Sequence, residues 1–280
     1  MLLQLPRCRH LDLSRPKVMG ILNITPDSFS DGGRFVGKAA AVAEARAMLA
    51  AGAAILDIGG ESTRPGAEEV PIQQELDRVI PVIEAIRSEL DCIISVDTCK
   101  AQVMKEAIAA GADLINDIRA LLAPEALSVA AAAKVPVCLM HMQGQPRTMQ
   151  HAPVYQDVVK EVCDFLTQRA EVCIEAGIAK SQIILDPGFG FGKSLQHNYQ
   201  LLSQLSEVLR LNYPVLVGMS RKSMIGQLLD VPPGDRLAGS LACATIATIK
   251  GAHIIRVHDV KETVQAVAVT SATLFGVDHV

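Results

Sequence analysis

The chain has 280 residues, half of them hydrophobic, and 26 Lys and Arg against 30 Asp and Glu give it a formal net charge of −4. That balance leaves no electrostatic footprint for nucleic acid, and 3% aromatic residues without Trp exclude a stacking platform for single strands. The length admits two ordinary domains or one large α/β barrel, which typically runs to about 250 residues.

The first ten residues hold no charged stretch followed by an apolar one, so no signal peptide is expected. No apolar run reaches the roughly 20 residues that span a bilayer. Seven cysteines without a C-x-x-C pair fit reduced, mostly buried thiols. A cytoplasmic enzyme without a nucleic-acid or membrane partner is expected.

Short β-branched or apolar runs alternate with longer Ala- and Leu-rich stretches of helical period. In chain order, strand 18–22 precedes helix 38–51, strand 54–58 precedes helix 72–89, and strand 92–96 precedes helix 102–110. Strands 114–115 and 135–140 lead to helix 158–176, and strand 183–185 leads to helix 198–209. Strands 214–217 and 253–257 follow, then an apolar helical stretch at 264–274. Gly52, Gly111, Gly177 and Gly251 sit where a glycine just past a helix end belongs. Eight strand candidates separated by helices, with no Pro, Gly and Ser-rich linker, predict a single (β/α)₈ TIM barrel domain over 1–280. A doubly wound open sheet is the alternative. It would normally show fewer strands and a dinucleotide fingerprint, whereas Gly188, Gly190 and Gly192 are spaced G-x-G-x-G.

In such a barrel the chemistry lies at the C-terminal ends of the strands. Nearly every apolar run here stops on a polar residue: Asn23, Glu61 with Thr63 and Arg64, Asp97, Asn116, His141, Asp186, Ser220 with Arg221 and Lys222, and Arg256 with His258. Any one of them alone is most simply a turn residue or helix cap. Independent capping, however, would not gather acids, amides and cations at one rim. Asp97, Asn116 and Asp186 suit the N–H groups and ring nitrogens of a flat heterocycle. Lys222 suits a carbonyl oxygen or the ring face, and otherwise is a solvated loop lysine. Arg256 and His258, with Asn23 nearby, suit an anion such as phosphate or diphosphate. No H-E-x-x-H or Cys/His cluster supports a tightly held zinc, but Mg²⁺ shared between one side chain and a diphosphate needs few protein ligands. The long polar connections 23–33 and 59–66 are either plain surface loops or covers that close over a substrate.

Several of these stretches carry a resemblance. Residues 19–33, including Asn23-Ile24-Thr25-Pro26-Asp27-Ser28-Phe29-Ser30-Asp31, and 57–66, Asp57-Ile58-Gly59-Gly60-Glu61-Ser62-Thr63-Arg64-Pro65-Gly66, resemble signatures of the dihydropteroate synthase family. Ser95-Val96-Asp97-Thr98, Asn116-Asp117-Ile118, Leu139-Met140-His141-Met142, Asp186-Pro187-Gly188-Phe189-Gly190-Phe191-Gly192-Lys193, Ser220-Arg221-Lys222-Ser223 and Arg256-Val257-His258-Asp259 follow in the family's order. One departure is Thr98-Cys99-Lys100, where the family commonly has Thr-Ser-Lys.

The resemblance implies condensation of 6-hydroxymethyl-7,8-dihydropterin diphosphate with 4-aminobenzoate, giving 7,8-dihydropteroate and diphosphate. It implies that Asp97, Asn116, Asp186 and Lys222 hold the pterin, with Met140 and Ile118 as apolar neighbours. Asn23 would help hold Mg²⁺ on the diphosphate, with Arg256, His258 and Thr63 on its oxygens. Ser220, Arg64, Pro65 and Phe191 would shape the aminobenzoate pocket, where sulfonamides compete in this family. The connection carrying Phe29 and Asp31 would close the site, and a homodimer is expected. Three other readings are a lysine Schiff-base aldolase through Lys222, a folate methyl-transfer relative, and a non-catalytic pterin-binding protein. The first sits awkwardly with an anion-suited Arg256 and His258, and the second has little use for residues 62–65.

Overall fold

The computed structural model describes residues 1–24, 33–62, 69–144 and 153–277. An antiparallel hairpin, β1 (Leu2–Gln4) and β2 (His10–Asp12), comes first. Next are β3 (Lys17–Asn23), α1 (Gly33–Ala50), β4 (Ile55–Gly59), α2 (Ile72–Glu89), β5 (Ile93–Asp97), α3 (Ala101–Ala110) and β6 (Leu114–Asp117). They are followed by α4 (Ala126–Ala133), β7 (Val137–Met140), α5 (Val158–Glu175), β8 (Ile183–Asp186), α6 (Leu195–Ser203) and α7 (Leu205–Leu209). The chain ends with β9 (Leu216–Val217), α8 (Ser223–Leu229), α9 (Leu237–Lys250), β10 (Ile254–Val257) and α10 (Val260–Phe275). Strands β3 to β10 form one parallel sheet in the order β8-β7-β6-β5-β4-β3-β10-β9. A parallel bridge between Leu185 and Val215 joins its two edges and closes the ring. The expected (β/α)₈ barrel is therefore the fold.

Alternation along the strands builds two cores. Leu56, Ile58, Val96, Ile115, Leu139 and Ile255 face outward into the helix-covered core. Met19, Ile55, Leu114, Cys138, Ile184, Leu216 and Ile254 face inward and pack with Leu3, Leu5, Leu11 and Leu13. The hairpin is thus a plug in the N-terminal mouth of the barrel. Asp113, fully buried beside it, receives Arg7, Arg9 and Arg87 as ion-pair partners and the Ile94 N–H at 3.0 Å. A cavity of about 440 Å³ opens there, but its guanidiniums are already committed to Asp113.

Most element boundaries match the sequence reading within a residue or two, but α1 begins five residues before the expected 38 and α10 four before 264. Strand 135–140 starts only at Val137, because Pro136 has no N–H and serves the sheet through its carbonyl, which accepts from Ile115 at 3.0 Å. Strand 214–217 shortens for the same reason, with Pro214 O accepting from Leu185 N at 2.9 Å. Helix 198–209 starts earlier, at Leu195, under a capping box of Ser194 and His197, and breaks at Gln204 into α6 and α7. The expected glycine stops are observed, with φ of 98° to 113° at Gly52, Gly111, Gly177 and Gly251. Among the described residues no helix is long and apolar enough to cross a membrane.

Candidate active site

The inward positions change character towards the C-terminal mouth. Register aligns Asn23 with Gly59, Gly59 with Asp97 and Asp97 with Asn116, so β3 to β6 end side by side. Asp57 and Ser95, also register partners, lie two residues before Gly59 and Asp97. Arg256 reaches across from β10, its Nε 2.5 Å from Asp57 Oδ2 and one terminal nitrogen 2.6 Å from Asp97 Oδ2. Burial works against the charge on Arg256, but the two carboxylates outweigh it and raise its pKa. Asn116 donates through Nδ2 to the same Asp57 oxygen at 3.0 Å. Burial raises the Asp97 carboxyl to about 7 in spite of Arg256. Asp186 is also raised by burial, against the pull of Lys222 and of the Gly188 N–H, which donates to its Oδ1 at 2.7 Å. Burial thus favours the protonated form of two carboxyl groups at this mouth, of which Asp97 is the register partner of Asn116.

The loop after β8 passes so close to the end of β7 that it has no room for side chains at its tightest point. A Cβ on Gly188, whose φ is +70°, would lie 1.8 Å from the His141 carbonyl oxygen. The loop's carbonyls converge on two lysines. Lys222 Nζ donates to Phe189 O at 2.6 Å and lies 4.4 Å from the Phe191 ring centre. Lys193, buried, donates to Gly188 O at 2.9 Å and Phe191 O at 3.2 Å, with His141 Nδ1 at 2.9 Å as its third partner. Burial draws Lys193 down to about 7 and Lys222 to about 8, each opposed by Asp186. His141 falls to about 3, through burial and then the Lys193 charge, so its neutral ring accepts from Lys193. Met140 and Phe191 pack together with Ile118 and Met142 as a small apolar wall beside these charges.

Across the mouth, Ser220 Oγ lies 3.1 Å from His258 Nδ1 and accepts the His258 backbone N–H at 3.2 Å. Between Ser220 and Lys222, Arg221 takes the left-handed conformation, φ 57°. Its ion pair with Asp259 and its N–H bond to Ser240 Oγ at 3.0 Å hold that turn. Glu61 serves the scaffold, since its Oε1 accepts from Val70 N at 2.9 Å and its Oε2 lies 2.7 Å from Lys100 Nζ. Lys100 also reaches the fully buried Glu75 at 2.6 Å, which ties the exit of β4 to the start of α2.

The structure thus brings together Asp97, Asn116, Asp186, Lys222, Arg256, Met140, Ile118, Phe191, Ser220 and His258, with Asn23 at the exposed edge. Asp31, Thr63, Arg64 and Pro65 lie outside the described residues. Sequence reasoning assigned nothing to Asp57, Lys193 or Lys100. Asp57 had one signal, a carboxylate at an inward position inside a buried strand.

Among the described residues no group of three His, Cys, Asp or Glu could hold a metal ion. Asn23 fits a hard cation that brings its own oxygen ligands. Its Oδ1 faces the space that glycine leaves at residue 59, 3.8 Å from where a Cβ would stand, while Asp57 and Asp97 are bound to Arg256.

A family model described as pterin binding enzyme matches residues 19–258. The dihydropteroate synthase of Escherichia coli (strain K12) is 61% identical over 264 residues, 94% of each chain. That of Haemophilus influenzae is 58% identical over 263 residues, 94% of this chain and 96% of the other. The Yersinia pestis dihydropteroate synthase, crystallised with a sulfonamide drug complex, superposes with a TM-score of 0.93 at 59% identity, covering 98% of this chain and 99% of that one. The Xanthomonas albilineans dihydropteroate synthase with 4-aminobenzoic acid gives 0.91 at 50% identity and 98% of each chain.

Proposed function

The chain belongs to the pterin-binding enzyme family, among its dihydropteroate synthases, and we propose how its own residues carry that reaction. The enzyme joins 6-hydroxymethyl-7,8-dihydropterin diphosphate to 4-aminobenzoate, releasing diphosphate and 7,8-dihydropteroate. One observation carries the reading: Asp97, Asn116 and Asp186, with Lys222, form a polar layer beside the Met140–Phe191 wall at the C-terminal mouth. Short acceptors around a flat apolar face suit a planar, nitrogen-rich ring and penalise any ligand that leaves them unpaired.

The proposed mechanism is dissociative. The carbon–oxygen bond to diphosphate breaks first, and the pterin ring carries the positive charge left on its methylene. The arylamine lone pair then forms the carbon–nitrogen bond, and the amine loses its proton. Asp97 and Asp186 lie against the ring and stabilise its cation, while Lys222 donates to its carbonyl. Asn23, His258 and Arg256 would contact the leaving group, a role the resemblance also gives to Thr63, and Asn23 would be the protein ligand of Mg²⁺, which would neutralise diphosphate charge when bound. Arg256 can turn only its outer edge that way, since its inner nitrogens serve Asp57 and Asp97. Ser220 and Phe191 would shape the aminobenzoate side, a role the resemblance also gives to Arg64 and Pro65, as it gives Asp31 a role in closing the site. No covalent nucleophile is required, so catalysis rests on positioning and electrostatics.

We further place the enzyme in the cytoplasm, where its cysteines, all free, stay reduced. We also infer a homodimer through the exposed Ile246, Ile249 and Val269 of α9 and α10. Diphosphate release with and without 4-aminobenzoate, in the presence of Mg²⁺, tests the reaction. Release together with dihydropteroate is expected, and pterin binding without product would reduce the protein to a pterin-binding relative.

A further inference from the structure

One carboxylate of the barrel interior has no part in the reaction as derived above. Asp57 is fully buried in the middle of β4, on the same face as Gly59 and one layer deeper. Its Oδ2 takes two donors, Arg256 Nε at 2.5 Å and Asn116 Nδ2 at 3.0 Å. An amide has a donor end and an acceptor end, and only a partner of fixed polarity decides which end faces the ligand. Asp57 is such a partner, because the oxygen that faces Asn116 also takes the Arg256 guanidinium and serves both as an acceptor. With Nδ2 turned down to Asp57, the planar amide of Asn116 turns Oδ1 the other way, and no described group donates to that oxygen. Reversing the amide would set its oxygen against the carboxylate and give up a charge-assisted bond, roughly twice as strong as a neutral one.

We propose that Asp57 is a positioning residue that sets ring specificity, by locking Asn116 to present an acceptor, so that the site selects a ring edge bearing an N–H donor. The proposal rests on the reading of this mouth as the pterin site. It separates two functions of Asp57, as an acceptor for Asn116 and as a charge beside Arg256, and two substitutions tell them apart. In Asp57→Leu the acceptor is gone and the Asn116 amide can turn either end to the ligand. In Asp57→Asn the charge is gone, but the donor-only Arg256 guanidinium holds the new amide by its oxygen, which can still accept from both donors.

The test is a binding titration of each protein with 6-hydroxymethyl-7,8-dihydropterin, which lacks the diphosphate, and with its 2-deamino counterpart, in which hydrogen replaces the exocyclic amino group and the ring nitrogen beside it stays an acceptor. Steady-state KM values for 4-aminobenzoate are measured alongside. Asp57→Leu is expected to bind the amino ring at least about 10-fold more weakly, the order that one lost buried hydrogen bond produces. It should also lose most of the preference for the amino ring over the deamino ring. Asp57→Asn is expected to stay within about threefold of the unsubstituted protein in affinity and preference, and KM for 4-aminobenzoate should hold in both. Preference retained in Asp57→Leu overturns the proposal. So does preference lost in Asp57→Asn, which would make the charge on Arg256 the determinant, and this second arm does not depend on the Leu variant folding. If the unsubstituted protein itself binds neither ring, the pterin reading fails, a result distinct from failure of the role given to Asp57.

Discussion

Lys222 holds its ammonium between the Phe189 carbonyl and the Phe191 ring, and burial draws its pKa down to about 8. As a donor to the pterin carbonyl it must be protonated. The kcat/KM for dihydropterin diphosphate is therefore expected to fall as pH rises through about 8. Lys222→Arg, which keeps its proton throughout, should be slower but show no alkaline limb in that range. A limb unmoved in the Arg variant would belong to another group. His141 bears on stability instead. Its pKa is about 3 in the fold against an ordinary 6.5, so the folded state binds fewer protons. Its stabilising contribution is present above pH 6.5 and is lost as pH falls towards 3, by about 1.4 kcal/mol per unit. Asp97 and Asp117, both raised by burial, act in the opposite sense, so the total curve hides it. The gap in urea unfolding free energy between the unsubstituted protein and His141→Gln should shrink steadily from pH 6 to pH 4. A constant gap would mean that His141 takes up its proton without unfolding.

Among the elements, the loop after β8 depends most on the identity of single residues. Gly188 and Gly177 both have positive φ, +70° and +98°, but a Cβ on Gly188 meets backbone at 1.8 Å while one on Gly177 meets nothing within 4 Å. Gly177→Ala is expected to lose about 1–2 kcal/mol, the ordinary penalty of the left-handed conformation. Gly188→Ala should lose far more, or fail to fold, since the strand end carrying His141 must move; chemical denaturation of the pair measures the difference. This loop was legible in the sequence because an acid, three glycines and two phenylalanines follow a buried run directly. Helix α2 was legible to its last residue because Val79, Val82, Ile83 and Ile86 repeat at helical spacing. Helices α4 and α9 were not, since Ala-rich segments such as Ala126–Ala133 carry little contrast between faces. The hairpin strands, three residues each, are too short for alternation to register. Asp57 escaped notice because its meaning lies in partners 59 and 199 residues away.

On the scale of the molecule the barrel is polarised. Its N-terminal half is sealed by apolar side chains from the hairpin, and its C-terminal half holds carboxylates and amides that water has left. Stability and activity should therefore respond oppositely to substitution at the two ends. Leu3, fully buried in the plug, lies far from the chemistry, and Leu3→Ala is expected to cost about 2–5 kcal/mol with both KM values unchanged. At the other end, Asp97 is held ionised above pH 7 against a burial penalty that has raised its pKa from 3.8 to about 7. A raised carboxyl favours the fold fully below pH 3.8, and that advantage drains away as pH rises to 7. Asp97→Asn has no such drain, so its stability relative to the unsubstituted protein should climb by about 1.4 kcal/mol per unit from pH 4 to pH 7 while turnover falls. Urea unfolding at pH 4, 5.5 and 8, read beside turnover at pH 8, measures both. If the relative stability of Asp97→Asn does not change with pH, Asp97 is ionised in the fold at low pH, and Arg256 rather than burial controls its charge.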